Sequence, residues 1–104
     1  MPEDGFILIP DKTLNRIDLT PTQKLLIGQL ARMQGANAHC YPSLQYLGDA
    51  IGMSRVQVQR SLADLVERGE VIAVKMPYRS SRYSVPWATA RALRRAWAVR
   101  RKGA

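Results

Sequence analysis

Arg55, Gln57, Gln59 and Arg60 stand within one short stretch of this chain, interleaved with Val58 and followed by Leu62. Arginine and glutamine present paired donors and acceptors whose geometry matches the guanine and adenine edges in the major groove of a DNA duplex. Val58 and Leu62 are four residues apart, so a helix here turns one face inward and cannot bury all the polar residues between. The chemistry these residues offer is recognition. No acid pair and no Ser/His/Asp set suggests catalysis, and no nucleotide loop of the G-x-x-x-x-G-K-[ST] type occurs. His39, the one histidine, adjoins Cys40, the one cysteine, and the two are too few for a metal-ligand cluster. The expectation is therefore a protein that is not an enzyme and needs no cofactor.

The elements that position these residues are legible from their start and stop signals. Ser43 is the N-cap of a helix over 44–51, and Gly52 follows where a left-handed residue ends it. Ser54 then caps a helix from Arg55 to Arg68, which stops at Gly69. Leu47, Ile51, Met53, Val58 and Leu62 let these two helices share one core, and the inward stripe of the second is Val58, Leu62, Leu65 and Val66. Upstream, Thr20 as N-cap, Pro21 and Gln23 have the pattern of a capping box opening a helix over 21–34. Leu25, Leu26, Leu30 and Met33 mark its apolar positions and Gly35 its end. Phe6 to Pro10 reads as a short strand, Asp11 to Asp18 as a loop or brief helical turn carrying Leu14 and Ile17, and Ala36 to Pro42 as a loop.

After Gly69 the period changes from helix to strand. Val71 to Met76 is a largely apolar, β-branched run, Pro77 to Ser81 has turn composition, and Arg82 to Val85 alternates before Pro86. That is a hairpin with arginines at its tip. The last segment, Trp87 to Lys102, is rich in alanine and arginine and is expected to be helical.

Three helices followed by a β-hairpin is the order of a winged helix. The expected fold class is mainly α with a small β-hairpin: a winged helix-turn-helix with a three-helix core, a β-wing and an extra C-terminal helix. The expected division is 1–19 as N-terminal strand and loop, 20–86 as the winged domain and 87–104 as a basic C-terminal helix. Residues 20–86 resemble the winged helix-turn-helix domains of replication-initiation and primosomal proteins of phages and plasmids, through LTPTQKLLIGQLA, YPSLQYLGDAIGMSRVQVQRSLADLVERGEVI and the hairpin. Residues 43–72 are also similar to the DNA-binding domain of cyclic-nucleotide-regulated transcription activators. Gly52, Ser54, Arg55, Val58, Arg60 and Leu62 carry their G-x-S-R-x-x-V-x-R-x-L rhythm, and Ser61 departs from the larger apolar residue common there.

The resemblance implies that the third helix lies in the major groove with its N-terminal half nearest the bases. Ser54 would hold a phosphate, Arg55, Val56, Gln59 and Arg60 would project outward, and Val56 would meet a thymine methyl. Gln57 is a further candidate DNA contact, although it points nearer the second helix. Ser43 and Gln45 are further phosphate contacts, with simple capping as the alternative. In the wing, Lys75 is a backbone contact, and Arg79 and Arg82 reach the minor groove or its flanking phosphates, against the alternative of a solvated turn. Tyr78 either stacks on the nucleic acid or bonds to phosphate, or else packs as a lid, and Tyr41 and Tyr46 are expected to be partly buried and structural.

Charge placement agrees. Residues 1–70 hold seven Lys/Arg against eight Asp/Glu, whereas residues 71–104 hold nine Lys/Arg and no acid. Such asymmetry is the footprint of a polyanion-binding surface, and a solvated basic tail is its plain alternative. Ala90, Leu93 and Trp97 form an apolar stripe in the last segment that would dock on the core, pair with a second copy or leave a basic arm along DNA; a homodimer is the leading reading. With 104 residues the chain forms one domain. No targeting or membrane-spanning pattern is present, and a single cysteine excludes an internal disulfide, so a cytoplasmic protein is expected. Double-stranded DNA is the expected partner, with replication or transcription proteins besides. The competing readings are a protein-interaction module of the same fold and an RNA or single-strand binder. The last lacks an array of stacking aromatics.

Overall fold

The computed structural model describes residues 7, 9–35 and 37–88. A single helical turn, α1 (Asp11–Leu14), precedes the longest helix, α2 (Pro21–Gln34). Thr20 opens α2 as expected: its hydroxyl accepts from the Gln23 amide at 3.1 Å and the Gln23 side chain accepts from the Thr20 amide at 2.9 Å. Gly35, at φ 53°, closes it. Ser43 caps α3 (Leu44–Ile51), and Gly52 ends it at φ 72° and ψ 34°, the left-handed region where glycine carries no steric penalty. Ser54 and Gln57 form a second capping box at the start of α4 (Arg55–Glu67), with Arg68 as its C-cap. Strands β1 (Ile72–Val74) and β2 (Arg82–Ser84) follow as an antiparallel pair in which Ala73 faces Tyr83.

Helix α2 is the axle of the molecule. Leu26, Ile27 and Leu30 are completely buried, and Leu47 of α3, Val58, Leu62 and Leu65 of α4, and Val71, Tyr83 and Val85 around the hairpin join them in one core. Each aliphatic side chain so buried contributes roughly 1.5–3 kcal/mol relative to exposure. These contacts rather than local propensity therefore fix α3 and α4 against α2. Cys40 lies in the segment expected to be loop, yet it pairs with Tyr83 through two backbone hydrogen bonds of 2.9 and 2.8 Å. The free edge of β2 is thereby covered. Burial pushes the Cys40 thiol up to about 11, so it stays protonated and behaves as a small apolar residue. Gln34, buried at the end of α2, accepts from the Val85 amide at 2.8 Å and donates to the Ala88 carbonyl at 3.2 Å. That single amide moors the chain leaving β2, where Ala88 is fully buried and Trp87 packs on the core.

Three expectations change. Of the strand expected over Phe6 to Pro10, the described residues Ile7, Ile9 and Pro10 take no strand conformation. The side chains of Ile7 and Ile9 instead lie over Gly28 of α2, in the space a larger residue there would fill. Val66 is 38% exposed, because the inward stripe of α4 runs 58, 62, 65 and the next position around points away. Tyr46 is 53% exposed, on the outer side of α3 rather than partly buried. Leu14 and Ile17 are also exposed, Ile17 fully. The helix expected over 87–104, with the stripe Ala90, Leu93 and Trp97, lies outside the described residues from residue 89 onward.

A polar cluster joins the segment before α2 to the far end of α4. Arg16 bonds Asp18 at 2.6 Å and also meets Glu70, while Arg68 reaches Asp18 at 3.2 Å and Asp64 at 2.8 Å. The Gln23 amide donates to Asp64 as well. Arg16 holds the Asp18 carboxyl below its ordinary value, and the Gln23 amide, then Arg68, does the same for Asp64. Carboxylates depressed in the fold add stability above their unfolded value of 3.8 and lose it as pH falls through the lower folded value. The denaturant midpoint is therefore expected to be level from neutrality to about pH 5 and to drop below about pH 4. Asp18→Asn combined with Asp64→Asn should flatten that acid limb; an unchanged acid limb in the double variant would show that these pairs add nothing.

Candidate nucleic-acid interface

The angle between α3 and α4 is set at a contact with no room for a side chain. A Cβ on Gly48 would sit 2.5 Å from the Met53 carbonyl oxygen, and the Met53 amide donates to the Gly48 carbonyl at 2.8 Å. Gly48 thus lets the turn fold flat against the last turns of α3, and Ser54 starts α4 directly after it. Gly52 supplies the left-handed step, while Gly48 supplies the closeness. The second requirement acts between residues five apart and depends on how the turn folds back on the helix.

On α4, Arg55, Val56, Gln57, Gln59 and Arg60 are all exposed while Val58 between them is fully buried. The helix therefore presents its polar residues as one outward face. Ser54 accepts from the Gln57 amide at 3.2 Å, and the Gln57 side-chain oxygen accepts from the Ser54 amide at 2.9 Å. A hydroxyl that accepts one bond still has its proton to donate, and the Gln57 side-chain NH2 still faces solvent. Ser43 caps α3 by accepting from the Tyr46 amide at 3.0 Å. Gln45 donates to Asp49 at 2.9 Å along the exposed side of α3.

The hairpin lies beside the start of α3. Arg79 places its guanidinium 3.7 Å above the ring of Tyr41, and Tyr41 meets His39 edge to face. Two residues on from Tyr41, Ser43 opens α3, so this cation–π contact ties the hairpin loop to the α3 N-terminus. Lys75 is exposed just after β1, and Arg82, half-buried, begins β2. Arg55, Arg60, Lys75, Arg79 and Arg82 enter no ion pair among the described residues, whereas Arg16 and Arg68 are both tied to carboxylates. The cations near the far end of α4 are thus neutralised, while those on the N-terminal half of α4 and on the hairpin, like Lys24 and Arg32 on α2, have no ion-pair partner among the described residues. Among the described residues there is no His/Cys/Asp/Glu group fit to hold a metal and no helix long and apolar enough to cross a membrane.

No curated protein and no solved structure matches the chain. A family model described as a helix-turn-helix domain matches residues 18–69, which run from the aspartate before α2 to the glycine after α4 and so take in the α3–α4 pair and its turn. With half of its length matched in this way, the chain belongs to the helix-turn-helix domain family, and that membership suggests DNA binding.

Proposed function

We propose that the chain is a winged helix-turn-helix that binds double-stranded DNA sequence-specifically and without catalysis. It would act as a small transcriptional regulator or as a replication-origin-binding protein of a phage, plasmid or other mobile element. The observation that carries this reading is the outward face of α4, where two arginines and two glutamines are exposed and the arginines have no carboxylate partner among the described residues. In this reading α4 enters the major groove, with Arg55, Val56, Gln59 and Arg60 toward the bases. Ser54 and Ser43 hold phosphates, Gln57 supports the helix start, and Gln45 contributes only if it leaves Asp49. The hairpin serves as the wing through Lys75, Arg79 and Arg82. Pairing of two copies through Ala90, Leu93 and Trp97 would give a palindromic site, because half-site symmetry mirrors protein symmetry.

Competition among duplex, single-stranded and RNA probes tests the class of partner. Duplex preference is expected, with the logarithm of affinity falling linearly with that of salt, roughly 0.9 per phosphate neutralised. Affinity that is flat in salt, or a preference for single strands, removes the reading. An interaction module is the second reading, and the exposed Ile72 and Val74 on edge strand β1 favour it. It predicts that no duplex sequence is enriched from a random pool.

A further inference from the structure

We propose that Tyr78 is itself a nucleic-acid contact: its ring enters the minor groove beside the site read by α4, and the hairpin loop is bent against its own conformational preference to put it there. This rests on the duplex-binding function proposed above and adds to it a residue, a groove and a cost in stability.

Tyr78 has φ 63°, and among the described residues it is the sole non-glycine with a positive φ. The other three positive values belong to Gly35, Gly52 and Gly69, so this chain places glycine where the backbone alone requires that conformation. A bulky aromatic in the left-handed region is an outlier, and such outliers concentrate where a side chain is held for function. The ring is fully exposed and covers no part of the core, which removes the lid role that a tyrosine next to a turn often has. The next residue, Arg79, is fixed on Tyr41 at 3.7 Å, so the loop is anchored beside the position that Tyr78 occupies.

Charge complementarity selects the partner. Lys75, Arg79 and Arg82 surround Tyr78 in sequence, none enters an ion pair among the described residues, and no acid occurs from Val71 to Ala104. A cationic loop carrying one projecting aromatic suits the minor groove, where arginine is drawn to the narrow, strongly negative channel and apolar side chains press between sugars and base steps. The phenol adds a donor within reach of the phosphate wall.

The test uses the full chain and the duplex it selects from a random pool, with Tyr78→Gly, Tyr78→Ala and Tyr78→Phe beside Arg60→Ala. Glycine relieves the backbone, so Tyr78→Gly should melt higher than the parent while binding the duplex roughly tenfold more weakly, the scale of one aromatic contact with a nucleic acid. Tyr78→Ala keeps the disfavoured backbone and should lose affinity without the gain in melting temperature; Tyr78→Phe should fall between it and the parent. On a duplex cut short on the wing side, all four chains with Arg60 intact should bind alike. Parental affinity in Tyr78→Gly and Tyr78→Ala alongside a loss in Arg60→Ala overturns this inference and leaves the α4 reading standing. Equal binding of Arg60→Ala and parent, or no duplex preference at all, brings down both. A Tyr78→Gly chain that melts lower than the parent overturns the assignment of strain.

Discussion

Gly48→Ala is expected to destabilise the fold, although on local grounds it should do the reverse. Within a helix, alanine is favoured over glycine by about 1 kcal/mol. Gly48 lies inside α3, so helix propensity alone predicts a gain. The added methyl would lie 2.5 Å from the Met53 carbonyl oxygen, and that oxygen belongs to backbone which cannot rotate away as a side-chain tip would. Relief requires the turn to lift off α3 and carry the start of α4 with it. Forcing extra volume into a packed contact costs about 1–3 kcal/mol and sometimes more. At about 4–8 °C per kcal/mol for a domain near this size, a thermal melt resolves the loss. Gly52→Ala provides the contrast. Nothing lies within 4 Å of its added methyl, so the cost is the left-handed backbone alone, about 1–2 kcal/mol. The two variants separate in their second readout. Gly52→Ala should keep duplex affinity at temperatures where it is folded, whereas Gly48→Ala should lose it, since Ser54 and the face behind it move. A Gly48→Ala chain that melts at or above the parent and binds normally would show that the close contact does not govern the turn.

That contrast also marks where sequence reading reaches its limit. Elements with local signals were legible to the residue: Thr20, Pro21 and Gln23 open α2, Ser43 opens α3, Ser54 opens α4, and Gly35, Gly52 and Gly69 stand where the chain leaves its helices. Caps satisfy amides within three residues, so their pattern is written in neighbouring letters. Other features depend on residues distant in the chain. The Cys40–Tyr83 bridge and the Gln34 amide on Val85 and Ala88 needed the assembled fold to be seen, and the closeness of Gly48 to Met53, only five residues on, needed the shape of the turn between them. Ile7 and Ile9 belong to a short apolar run that suits a strand, but Gly28 on α2 gives them a bed to lie in and neither described strand pairs with them. At the candidate interface the outward set on α4 follows from helical period alone. The seat of Arg79 on Tyr41 and the exposed turn at Tyr78 do not, because a seven-residue loop from Lys75 to Ser81 carries no period to read.

Loss of Arg60 or Gln59 should change which sequences are bound, and loss of Lys75 should not. Arg60 and Gln59 are exposed, neither side chain makes a hydrogen bond or ion pair with a described residue, and Val58 beside them keeps α4 anchored in the core. Truncating either to alanine should therefore leave the melting temperature close to that of the parent, since surface changes of this kind stay within about 0.5 kcal/mol. Binding should respond far more. A bidentate arginine–guanine or glutamine–adenine pair discriminates by about 1–3 kcal/mol, so each variant should lose most of its preference at one base position and keep the rest. Lys75→Ala removes a charge that the proposed reading places on the duplex backbone. It should weaken all duplexes by the same factor and reduce the salt slope by roughly one unit. Gln57→Ala divides the effect differently: it opens the capping box at Ser54 and should cost stability on the order of 1 kcal/mol, with little change in preferred sequence. Selecting duplexes from a random pool with each variant measures all four. If Arg60→Ala and Gln59→Ala lower affinity uniformly and return the parental consensus, the outward face of α4 rests on the backbone of the duplex and the bases are read elsewhere.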